Sequence, residues 1–118
     1  MKPTVLIVDD DESIRVSLKL LLEEKYNVIT VLNGEEALNK LNQIQVDAVL
    51  LDVKMNGIDG LETLEKIRKL HKDVVVIMLT VIEDIKIAVR AIKLGAKDYL
   101  LKPYEKNELL MSLKKNLE

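Results

Sequence analysis

Short apolar runs alternate with helix-patterned segments from one end of this chain to the other, five of each, and that alternation leaves few folds open. The run Val46-Asp47-Ala48-Val49-Leu50-Leu51-Asp52 is the clearest. Its four consecutive apolar residues are too few for a helix, and the Met-Asn-Gly-Ile-Asp-Gly turn bounds them. They predict a central parallel strand buried on both faces. Thr4 to Val8, Asn27 to Val31, Val74 to Leu79 and Asp98 to Leu101 complete the set, so the expected class is α/β with a parallel sheet.

The helical segments carry their own punctuation. Asp11 or Ser13 is placed to cap a first helix with a stripe of Ile14, Leu18, Leu21 and Leu22. Asn33-Gly-Glu-Glu36 and Asp59 with Glu62 read as capping boxes, opening helices that turn Ala37, Leu38 and Leu41, then Leu61, Leu64 and Ile67, inward. Gly57 and Gly60 are placed for a loop with positive φ. A fourth helix is expected from about Glu83 to Leu94 with Gly95 as its stop, and a fifth carries Leu109, Leu110, Leu113 and Leu117. His71 falls at a helix end among lysines, as a solvated residue favoured by the helix dipole.

Composition narrows the functions. The 118 residues are 48% hydrophobic and 32% charged, enough for a single domain with its own core. Without cysteine there is no thiolate nucleophile and no disulfide. A formal charge of −2, no Trp, no Phe and three Tyr argue against direct nucleic-acid binding. The apolar run Val5 to Val8 is too short for a signal peptide or a membrane span, so a cytoplasmic protein is expected.

Polar residues follow four of the strands: Asp9 and Asp10, Asp52, Thr80, and Lys102. Parallel strands of one sheet point the same way, so these side chains are expected on one rim, where open α/β sheets bind ligands. Three carboxylates so close repel one another and ask for a divalent cation. An all-oxygen set without His or Cys suits Mg²⁺. Lys102 is a point charge suited to a phosphoryl oxygen, and the Thr80 hydroxyl could hold another. Asp52 is then placed as a nucleophile.

Ile7-Val-Asp-Asp10, Leu51-Asp-Val-Lys-Met-Asn-Gly-Ile-Asp-Gly60, Thr80 and Lys102-Pro103, in this order and spacing, resemble the receiver domain of two-component response regulators over residues 1–118. The resemblance implies a flavodoxin-like (βα)5 sandwich with strand order 2-1-3-4-5. It implies that Asp52 accepts a phosphoryl group from a phosphohistidine on a sensor histidine kinase. Asp9, Asp10, Asp52 and the backbone carbonyl of Lys54 would hold Mg²⁺, and Lys102 would pair with the phosphoryl oxygens. Thr80 and Tyr99 match the switch pair, and Lys102-Pro103 matches a bond that is cis in the family. Ile14, Met55, Asn56 and Pro103 match the region that docks the kinase. The implied function is a signalling switch rather than an enzyme, whose partner-binding face of fourth helix, fifth strand and fifth helix changes on phosphorylation and meets a downstream protein target or an attached output domain.

Some positions depart from the pattern. Asn56 stands where proline is usual, and Val81 where a small residue is usual. Lys54 and Ile82 flank the site where attacking water is gated, which points to a long-lived acyl phosphate. Val16 and Leu20 lie off the main stripe of the first helix, and the fourth carries Ile87, Ala91 and Leu94 beside Ile85, Ala88, Val89 and Ile92; two helices apolar on more than one side suggest docking surfaces. Two other functions fit the same fold. An interaction module working without phosphorylation is disfavoured by the complete set of Asp9, Asp10, Asp52, Thr80 and Lys102. A flavin-binding or phosphatase enzyme lacks its phosphate-cradling loop after the first strand, where acids stand instead.

Overall fold

In the computed structural model the strands and helices alternate as β1 (Thr4–Val8), α1 (Glu12–Leu22), β2 (Asn27–Val31), α2 (Gly34–Gln43), β3 (Ala48–Leu51), α3 (Gly60–Leu70), β4 (Val75–Thr80), α4 (Ile85–Lys93), β5 (Asp98–Leu101) and α5 (Lys106–Leu117). The structure describes residues 2–53, 59–81 and 85–117. The strands form one parallel sheet in the order β2-β1-β3-β4-β5. This is the expected flavodoxin-like order.

Side chains that alternate along each strand divide between two layers. Leu6, Val8, Val49, Leu51, Val76 and Met78 pack with Ala37 and Leu41 of α2, Leu64 and Ile67 of α3, and Ala91 of α4. Val5, Ile7, Ala48, Leu50, Val75, Ile77 and Leu79 pack with Leu18 and Leu22 of α1 and Leu109 and Leu113 of α5. The uniformly apolar runs are thus explained by cover on both faces.

α1, α2 and α3 start, and α4 stops, where their chemistry predicts. Asp11 accepts from the Ser13 N–H at 2.8 Å, Asn33 from Glu36 at 2.9 Å and Asp59 from Glu62 at 2.9 Å. The return bond of the Asn33 cap goes one residue further back than a capping box requires: the Glu36 carboxylate accepts from the Leu32 N–H. Gly95, at φ +109°, ends α4 in a Schellman closure, with its N–H on Ile92 O and the Ala96 N–H on Ala91 O.

Three expectations are refined. β3 begins at Ala48, and Asp47 before it ties neighbouring strands together: its carboxylate accepts from Thr4 N and its carbonyl from Val75 N. Gly60 has no positive φ; it is glycine because a Cβ there would lie 2.3 Å from Asp52 O and 2.5 Å from the Val53 Cα. His71 caps α3 through its N–H to Ile67 O, but it is half-buried rather than solvated, and its Nε2 is buried without a hydrogen-bond partner among the described residues. The expected first turn of α4 at Glu83, like Gly57, lies outside the described residues.

Candidate functional site

Strand register assembles the site. Val8 pairs with Leu51, and the Asp52 N–H donates to Val8 O at 3.2 Å, so Asp9 and Asp52 leave adjacent strands side by side. Thr80 pairs with Leu101, and the Lys102 N–H donates to Thr80 O at 2.8 Å, bringing the lysine round from β5. One carboxylate oxygen from each of Asp9, Asp10 and Asp52 lies within 4.8 Å of the other two, with Asp9 buried, Asp52 half-buried and Asp10 exposed. The Lys102 ammonium sits 3.0 Å from Asp9 Oδ2 and 3.6 Å from Asp52 Oδ2. Among the described residues Lys102 is the cation paired with these carboxylates, and one ammonium against three carboxylates leaves the cluster net negative.

Asp9, 4% exposed, is held at every polar atom. Its N–H donates to Val31 O, one carboxylate oxygen accepts from the Asp11 N–H at 2.9 Å, and the other takes Lys102. Its carbonyl accepts from Arg15 Nη1 at 2.8 Å. Next to it, the Ser13 hydroxyl and N–H hold the Asp11 carboxyl below its usual value. The half-buried Tyr104 has its phenol pushed up to about 12, first by burial and then by the charge of Asp9. Thr80 is fully buried at the end of β4. The Lys102-Pro103 peptide is cis.

The sequence model of the response regulator receiver domain matches residues 5–114. The chain belongs to this family. The receiver domain is 44% identical over 109 residues to "Probable transcriptional regulator ycf27" of Guillardia theta, covering 92% of this chain and 42% of that one. It is similar in structure to a CheY-like response regulator receiver domain protein from Methanospirillum hungatei, with a TM-score of 0.95 and 34% identity over 99% of this chain and 94% of that one. A chemotaxis protein, CheY4, of Vibrio cholerae aligns with a TM-score of 0.93 and 31% identity over 99% of this chain and all of that one, covering 100%. The chain spans half or less of the length of the curated relatives it matches, from 26% to 50%. As a receiver domain it belongs to phosphorylation-dependent signalling of the two-component kind.

Of the positions singled out in the receiver domain's sequence, Asp9, Asp10, Asp52 and Lys102 come together at one rim, with Thr80 at the end of β4, the strand paired with the one that delivers the lysine. Tyr99, on β5, is half-buried against the layer that holds α4. Ile14 packs partly against the α1 and α5 layer, and Pro103 is exposed. Lys54, Met55, Asn56 and Ile82 lie outside the described residues. Val81 is exposed beyond β4, as are Val16 and Leu20 on α1 and Ile85, Val89 and Ile92 on α4. The sequence reading passed over Arg15. Its signal was a cation one turn into the helix that follows the acidic pair, six residues after Asp9. No helix among the described residues is long and apolar enough to cross a membrane.

Proposed function

We propose that the protein accepts a phosphoryl group on Asp52 from a phosphohistidine of a sensor histidine kinase, in a Mg²⁺-dependent reaction, and thereby changes its partner-binding face. The observation that carries this reading is the meeting of three carboxylates and one ammonium at the carboxyl ends of the strands. The donor set fits the metal: it is all oxygen, has no His or Cys, and bears negative charge that Lys102 alone does not balance. Asp9, Asp10 and Asp52 would hold the ion, which would offset charge on the transferring phosphoryl oxygens. An Asp52 oxygen attacks phosphorus in line with the P–N bond. The O–P bond of an acyl phosphate forms while the P–N electron pair stays on the imidazole nitrogen.

The remaining residues bind and report. Lys102 exchanges its carboxylate contacts for a phosphoryl oxygen, and Thr80, on the adjoining strand, supplies a hydroxyl donor to another. Tyr99 follows Thr80, coupling the site to α4 and β5, where Ile85, Val89, Ile92 and Leu101 form an exposed apolar face for a downstream protein or an output domain. The self-catalysed gain and loss of phosphate makes the protein a switch rather than an enzyme, acting in the cytoplasm without touching nucleic acid itself. Relatives named as transcriptional regulators support a role upstream of gene control.

Intact mass after incubation with acetyl phosphate tests the reading. One phosphoryl adduct is expected on the wild type with Mg²⁺, and none with a chelator or in Asp52→Asn. A folded, Mg²⁺-binding protein that takes up no phosphoryl group from acetyl phosphate or from a phosphorylated kinase would instead be a module that works without phosphorylation.

A further inference from the structure

One contact near the site that the roles proposed above do not use joins Arg15 to the backbone carbonyl of Asp9. Arg15 lies one turn into α1, half-buried, and its guanidinium reaches back to that carbonyl at 2.8 Å. The other polar atoms of Asp9 are already engaged with Val31, Asp11 and Lys102, so the Arg15 bond completes the fixing of this residue. The peptide it grips is the one joining Asp9 to Asp10. Turning that plane would change ψ of Asp9 and φ of Asp10, the two angles that aim the exposed Asp10 carboxylate at the other two. Asp10 has no burial to hold it in place.

We infer that Arg15 is a positioning residue for the metal: by locking the Asp9–Asp10 peptide it keeps Asp10 turned toward the cluster before any ion arrives. This rests on the metal role proposed above for Asp9, Asp10 and Asp52. Among the described residues the guanidinium bonds the Asp9 carbonyl rather than any of the three carboxylates. Its effect is on the orientation of a ligand, the kind of outer contact whose loss typically weakens metal affinity about 10- to 100-fold. Guanidinium is suited to the task because a charged donor makes a stronger bond to a carbonyl than a neutral one.

Calorimetric titration of the metal-free protein with Mg²⁺, repeated with Mn²⁺ followed by electron paramagnetic resonance, measures this without phosphorylation. Arg15→Met keeps the aliphatic stem and removes every donor; it should weaken both ions about tenfold or more. Arg15→Lys restores a charged donor and should recover most of the affinity. The far-ultraviolet circular dichroism and thermal midpoint of the metal-free variants show whether the fold is intact. Were Arg15→Met to unfold, Arg15→Gln, which keeps a neutral donor and most of the stem, would take its place, with an intermediate loss expected. Unchanged affinity in folded Arg15→Met, with a wild type that binds and an Asp10→Asn variant that does not, would overturn the role of Arg15 alone. A wild type that binds neither ion would overturn the metal site itself and this inference with it.

Discussion

Tyr104 shows burial, and after it a neighbouring charge, acting in the same direction beside this rim. Its ring packs partly against the α1 and α5 layer, and burial with the nearby Asp9 carboxylate pushes its phenol from 10.0 up to about 12. The unfolded chain therefore gives up this proton first as pH rises. The stability linked to it is complete below about pH 10 and is lost as pH climbs through about 12. Spectrophotometric titration of the phenolates should show a late component that is missing in Tyr104→Phe, whose stability should also fall less steeply across that interval. Lys102 makes a related point with the opposite charge. It faces two carboxylates at 3.0 and 3.6 Å, so the ammonium is held at the rim where the proposed phosphoryl transfer would take place.

Among the elements, the end of β3 and the start of α3 approach closely. The Gly60 N–H donates to Val53 O at 2.7 Å, and the helix begins so close to the strand end that a methyl group at residue 60 would strike the backbone of Asp52 and Val53. Gly60→Ala should cost about 1–3 kcal/mol by urea denaturation and also lower phosphoryl uptake, because the backbone that must move carries Asp52. Gly95→Ala should cost stability alone. Its strain is in a positive φ and in the Arg68 side chain, whose guanidinium holds Lys72 O and Gly95 O well away from the rim. These junctions also mark where reading the sequence stops. Uniform apolar runs and cap residues are local signals, so ten elements and the acids at their ends could be found without coordinates. Gly60 was legible as a special residue but not as a close approach, because φ and proximity leave the same letter. Arg15 was missed because its partner is a carbonyl, which has no letter at all, and the burial of the His71 ring depends on how α3 ends against its neighbours.

For the molecule as a whole, the sheet has one layer of side chains on each face, one packed by α2, α3 and α4 and the other by α1 and α5. Each layer is apolar, and the strands between them bond to one another. The sheet is therefore a partition, and packing energy on one side of it should be nearly blind to defects on the other. Ile67 and Ile77 are both fully buried but belong to opposite sides. Ile67→Val and Ile77→Val should each cost about 0.5–1.5 kcal/mol. In a double-mutant cycle the two losses should add to within about 0.5 kcal/mol, whereas Ile67→Val combined with Val76→Ala, within one layer, has scope to couple more strongly. A protein built this way can carry variation in two separate ledgers. Drift in the residues beneath α1 and α5 need not be matched by compensating change beneath α3 and α4, and only the rim, where both layers end, is answerable to both.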